Sequence, residues 1–131
     1  MKIYHHEQSP EEKAASKRGK RSRRKGHDFE RLIVRMLHDE GIEAERGLQS
    51  KGGRGRADVT IHRDGAPVYH VECKSGARPN VLQAWRQARE DAAFGADPLA
   101  VTHWDRGETL VTMDWDVFVS LLRDAWREDE P

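Results

Sequence analysis

The sequence predicts an α/β fold: a mixed sheet of five strands flanked by helices, in the order αβββαββα. Three observations lead to it. Apolar residues recur at helical spacing in segments beginning near Asp28, Asn80 and Asp116. Between these lie short runs rich in Val, Ile, Thr and Tyr that alternate in polarity, as half-buried strands do. Asp64-Gly65, between two such runs, is a strong hairpin signal because both residues tolerate positive φ.

Each element follows in turn. Ser9-Pro10-Glu11-Glu12 has the form of a helix start, with Ser at the N-cap, Pro at N1 and Glu at N3. A helix from there to about Lys17 has almost no apolar face and is marginal alone, so residues 1–25 are expected to be a basic arm that orders on a partner. Residues 26–131 form the single domain. In its first helix Phe29, Leu32, Ile33, Met36 and Leu37 share one face, and Gly41 ends it. Glu30 falls on the edge of that apolar arc and skirts the core. Strands are expected at 42–47, 57–63 and 66–75, with a glycine-rich basic loop, "LQSKGGRGR", at 48–56. Asn80 caps a helix running to about residue 93 with Val81, Leu82, Trp85, Ala88 and Ala92 on one face. Strands at 98–104 and 109–115 follow, and a helix at 116–126, capped by Asp116, precedes a frayed acidic tail.

Composition narrows the function classes. Mean hydropathy is −0.91 and no apolar run nears the ~20 residues of a membrane span. No secretory signal is evident, so a cytoplasmic protein in a reducing compartment is expected. Cys73 is the one cysteine, which excludes an intrachain disulfide and a cysteine-based zinc site. Lys and Arg together balance Asp and Glu at 23 each, but residues 17–25, "KRGKRSRRK", carry seven basic side chains in nine. Such a block is either a solvated face or a grip for a polyanion.

The chemistry concentrates in "YHVECKSG", 69–76. Strand alternation puts Glu72 and Lys74 on one face and Val71 and Cys73 on the other. A two-residue hairpin at Asp64-Gly65 pairs 63 with 66 and sets Asp58 opposite Val71, one step from Glu72, with a bulge free to change that partner. Asp58, Glu72 and the Cys73 carbonyl are hard oxygen ligands suited to Mg²⁺ or Mn²⁺. A water acidified there and positioned by Lys74 can attack a phosphodiester, and Glu30 is placed to hold a second ion. A lone E-x-K is usually a solvated strand face; the added Asp, basic loop and helical Glu are what favour catalysis.

Asp58 followed fourteen residues later by Glu72-Cys73-Lys74 resembles the PD-(D/E)xK nuclease motif, with Ala57 in place of its variable proline. "RKGHDFERLIVRML", "RGLQSKGGRGRADVTI" and "VECKSG" resemble the archaeal-type Holliday junction resolvases and their phage relatives, over about residues 24–95. The resemblance implies a restriction-endonuclease-like core and a homodimer that cuts branched, four-way DNA junctions symmetrically with Mg²⁺, leaving 5′-phosphates. It implies catalytic roles for Glu30, Ser50, Asp58, Glu72 and Lys74. Gln83 resembles a glutamine that many superfamily members place near the metal, and equally reads as a surface side chain. Arg21, Arg23, Arg24, Lys25, Lys51, Arg54 and Arg56 are the expected phosphate contacts. The basic arm lies outside the compact family pattern.

Other signals are weak. "SKGGRGR" is not a G-x-x-x-x-G-K-[ST] loop, so no nucleotide cofactor is expected. The seven histidines include no H-E-x-x-H; His5-His6 reads as tail and His70 as a surface imidazole. Trp85 matches a core face, while Trp126, beside Val119, Leu121 and Leu122, suits a dimer interface. The alternatives left open are a same-fold nuclease acting on flaps, nicks or linear DNA, and a basic DNA-binding module without catalysis.

Overall fold

A computed structural model describes residues 7–47, 57–92 and 95–128. The elements are α1 (Pro10–Asp39), β1 (Glu43–Arg46), β2 (Val59–Arg63), β3 (Ala66–Gly76), α2 (Val81–Asp91), β4 (Asp97–Trp104), β5 (Thr109–Met113) and α3 (Trp115–Glu128). The expected order αβββαββα is the one observed.

The strands lie side by side in chain order, all neighbours antiparallel except β3 and β4. That parallel pair needs a crossover, and α2 supplies it. On one face of the sheet Phe29 and Ile33 of α1 bury against Ala44, Val59, Val71, Leu99 and Val101. On the other face Ala84 and Ala88 of α2 meet Ala100, small side chains that let helix and sheet approach closely. Successive strand residues thus serve two layers: Val71, Leu99 and Val101 face α1, and Ala100 faces α2.

One difference from expectation is at the amino terminus. The capping box forms as read: the Ser9 hydroxyl accepts from Glu12 N, and Ser9 N donates to the Glu12 carboxylate. The helix it opens does not stop near Lys17. It continues through Gly19 and Gly26 into the core helix as one element of 30 residues. A helical glycine costs only about 1 kcal/mol and Lys and Arg are good helix formers, and joined to the core helix the segment no longer has to stand alone. The helix ends as expected, with Gly41 at φ 76° and Ile42 N bonded back to Leu37 O in a Schellman arrangement.

A second difference lies at α3. The side chain that closes its start is Asp114, which accepts from Asp116 N at 3.1 Å, so Trp115 opens the helix instead of ending the strand. No residue of α3 is buried. Val117 reaches the core, while Trp115, Phe118, Leu121, Leu122 and Trp126 stay exposed, as do Leu110 and Val111 on edge strand β5. Among the described residues no helix is long and apolar enough to cross a membrane.

Candidate active site

The hairpin between β2 and β3 decides where the carboxylates sit. Asp64 and Gly65 both take positive φ, 53° and 81°, as a tight primed turn requires, and Arg63 pairs with Ala66. The simple register then breaks. His62 pairs with Pro67 but Ile61 pairs with Tyr69, so Val68 is an extra residue, a β-bulge. Beyond it Thr60 faces His70 and Val59 faces Val71. Asp58, expected opposite Val71, therefore comes level with Glu72.

The consequence is a direct contact. Asp58 accepts a hydrogen bond from Cys73 N at 2.9 Å and is hydrogen-bonded to the Glu72 carboxyl. Burial raises the pKa of both groups, and Glu72 is pushed up to about 8 by burial first and the Asp58 charge second. Glu72 thus holds a proton at neutral pH and donates it to Asp58. Lys74, exposed on the same face of β3, acts in the opposite direction and is the weakest of these influences. The half-buried Cys73 thiol is pushed far above its ordinary range by desolvation first and then by the charges of Asp58, Glu30 and Glu72, and stays neutral.

Glu30 enters from α1. It is only 4% exposed and its charge raises the pKa of Asp58, so it belongs to the same acidic cluster. Its Oε2 accepts from Arg46 Nε at 3.1 Å and lies 3.1 Å from Arg46 Nη2 in an ion pair. A carboxylate that skirted the core in the helical projection is thus buried, and Arg46 of β1 is what balances it. Sequence reading had assigned Arg46 no role. Asp91, at the end of α2, adds negative potential to Asp58 and Glu72 and accepts from Gln87 Nε2 at 2.8 Å. Gln83 sits exposed in the first turn of α2, its backbone N–H closing the Asn80 cap. His70 is not the surface imidazole expected. It is 4% exposed, burial lowers its pKa, and it hydrogen-bonds the Asp91 backbone. Arg21, Arg23, Arg24 and Lys25 are exposed on α1, and Lys25 pairs with Asp105 of the β4–β5 turn. Ser50, Lys51, Arg54 and Arg56, like His5-His6, lie outside the described residues.

The donor set fits a hard divalent cation. Two carboxylates in contact cannot both ionise unaided, and the proton Glu72 retains marks a place where positive charge is wanted. Asp58 and Glu72 are the two carboxylates in contact, and Glu30 is engaged by Arg46. Among the described residues no group of three His, Cys, Asp or Glu side chains converges as a ready metal site, so waters would complete the shell, as is usual for Mg²⁺.

The profile of the archaeal Holliday junction resolvase (Hjc) family matches residues 21–108, well over half of the chain. The chain belongs to the Hjc family. Among solved structures it resembles Archaeoglobus fulgidus Hjc, a Holliday junction resolvase from an archaeal hyperthermophile, with a TM-score of 0.50 and 21% identity over 67% of this chain and 76% of that one. At that identity the likeness speaks for the fold. No curated protein matches. The family match includes Glu30, Arg46, Asp58, Glu72 and Lys74 and omits all of α3 and the first eleven residues of α1.

Two further features bear on this candidate site of the Hjc-family chain. Gly47 N donates to Asp58 O at 2.9 Å, and a Cβ on Gly47 would collide with the carbonyl of Ala57. Gly47→Ala is therefore expected to displace Asp58 and weaken divalent-cation binding, which calorimetric titration with Mn²⁺ would read. The retained proton also has a stability consequence. Between about pH 4.5 and 8 folded Glu72 keeps a proton that the unfolded chain has lost, so without metal stability falls as pH rises across that window. Glu72→Gln is expected to flatten this slope, measured as urea midpoints from pH 5 to pH 9 in a chelator.

Proposed function

We propose that this protein is a metal-dependent endodeoxyribonuclease that resolves four-way DNA junctions by paired phosphodiester hydrolysis, leaving 5′-phosphates. One observation carries the reading: Asp58 and Glu72, fourteen residues apart, are brought into contact across two strands, with Lys74 on the same strand face as Glu72. Pure phosphate binding has no use for juxtaposed carboxylates. Membership of the Hjc family supports the branched substrate.

Asp58, Glu72 and the Cys73 carbonyl would hold Mg²⁺ or Mn²⁺. When bound there, such an ion supplies Lewis acidity toward a scissile phosphate and toward water. Asp58 is held in place for this by the Cys73 N–H. Glu72 gives up its proton as positive charge arrives. Lys74, with three donors on a flexible stem, orients the attacking water and offsets charge on the phosphoryl oxygens. Glu30, locked by Arg46, deepens the negative potential and is the residue available to an outer-shell water of a second ion. Ser50 and Gln83 are assigned supporting roles on the family resemblance. Arg21, Arg23, Arg24, Lys25, Lys51, Arg54 and Arg56 hold phosphates.

Symmetric cutting needs two sites, so the working unit is a homodimer. The exposed apolar residues of α3 and β5, Trp115, Phe118, Trp126 and Val111 among them, give it a surface. Phe118→Glu is expected to shift the protein to monomer in sedimentation and to abolish paired cutting.

The decisive experiment compares four-way junction, flap and linear duplex at equal salt with Mg²⁺ and with chelator. Selective, Mg²⁺-dependent cutting of the junction supports the proposal. Equal cutting of linear DNA would replace it with a general nuclease, and no cutting with Mg²⁺ or Mn²⁺ would leave a DNA-binding module.

A further inference from the structure

Residues 13–27, "KAASKRGKRSRRKGH", contain eight Lys and Arg and no acid, in a chain whose charges balance only as a whole. They form the first half of α1, a helix about 45 Å long at 1.5 Å per residue. The described side chains from Glu11 to Arg18, and Lys20, Arg21, Arg23 and Arg24, are exposed, and a Cβ on Gly26 would meet nothing within 4 Å. Burial begins only at Phe29 and Glu30. The amino-terminal half thus stands off the domain as a spur, fixed at its tip by the Ser9–Glu12 capping box.

The cations on this spur are ordered. With Phe29 set to 0° and about 100° per residue, Lys13, Lys17, Lys20 and Arg24 fall within an arc of about 60°. Arg31 and Arg35, both exposed on the body of the domain, fall in the same arc. Asp28 at its edge is paired with Arg31 at 3.2 Å. The result is one basic line running for about 33 Å from the tip of the spur onto the body. That is close to one turn of duplex, about 10 base pairs. Among the described residues no ion pair engages Lys13, Lys17 or Lys20. Lys13 and Lys17, Lys17 and Arg21, and Lys20 and Arg24 are like charges at i, i+4, which repel along an isolated helix. A polyanion of matching length removes that repulsion.

We propose that this line is a duplex-binding surface, with Lys13, Lys17 and Lys20 gripping the backbone of a DNA arm at a distance from the cut site. The proposal rests on the DNA-processing reading above and adds a second, separate contact to it. Lys13, Lys17 and Lys20 lie outside the span matched by the family profile, so the contact belongs to this chain's own extension.

The test uses full-length protein and binding alone, in chelator, so that it stands apart from any outcome at the carboxylates. Junctions with arms of about 8 and about 25 base pairs are titrated at several salt concentrations against wild type and K13Q/K17Q/K20Q. On long arms the variant is expected to bind about 10-fold or more weakly. The slope of log K against log salt should shrink by roughly 2 to 3, three phosphate contacts at about 0.9 each. On short arms wild type and variant should differ little. An unchanged slope on long arms overturns the proposal, as does an equal loss on short and long arms, which would place these lysines at the crossover. K13R/K17R/K20R should retain wild-type binding, and loss there too would overturn it.

Discussion

Asp58→Asn is expected to abolish junction cleavage, by on the order of 10³-fold or more, while leaving junction binding intact. The substitution keeps volume and keeps an oxygen for the Cys73 N–H, so the bulged hairpin should hold. What it removes is the charge that Glu72 needs opposite it and one of two carboxylates available to a cation. Three readouts separate the effects. Single-turnover cutting of a four-way junction should fall, gel-shift affinity in chelator should not, and Mn²⁺ affinity should drop. Lys74→Ala is expected to lower cutting similarly but leave Mn²⁺ affinity nearly unchanged, because Lys74 donates no lone pair. Undiminished cutting by Asp58→Asn would sink the assignment.

Arg46→Ala carries the largest expected effect on stability. The Glu30 side chain is 5% exposed and that of Arg46 29%, so removing the guanidinium takes a paired cation away from a buried carboxylate. Breaking such a pair from one side costs roughly 3 kcal/mol, far more than the net value of the pair. Chemical denaturation should find that loss in Arg46→Ala and find most of it restored in Glu30→Gln/Arg46→Ala, where both charges are gone. Arg46→Lys should recover only part, since an ammonium cannot reproduce both the Nε hydrogen bond and the Nη2 ion pair that the guanidinium makes with Oε2. If the double variant is no more stable than Arg46→Ala, the guanidinium matters through something other than Glu30.

Much of this arrangement can be read from residue pattern because the underlying rules are local. The helix faces of 29–37 and 81–92, the Asn80 cap and the Asp64-Gly65 turn each depend on neighbours a few positions away. Glu72 and Lys74 share a face for the same reason. What escapes the pattern is set by packing between distant segments. Arg46 looks like any charged residue on a short edge strand; its meaning comes from Glu30 on a helix laid across that strand. His70 looks exposable until α2 covers it. The spur's continuity escapes because a segment with almost no apolar face is marginal by itself, and its helix is held by the core helix it runs into.

Val68 gives the β2–β3 hairpin the character of a reading frame. Its turn and its acidic pair are out of phase by one residue, and the bulge is the spacer that lets both exist. Delete that residue and the chain must choose: preserve the Asp-Gly bend and send Asp58 to the wrong neighbour, or preserve the pair and distort the bend. Length changes in this hairpin are therefore constrained by parity. A gain or loss of one residue, trivial in volume and composition, should be far more damaging than a gain or loss of two.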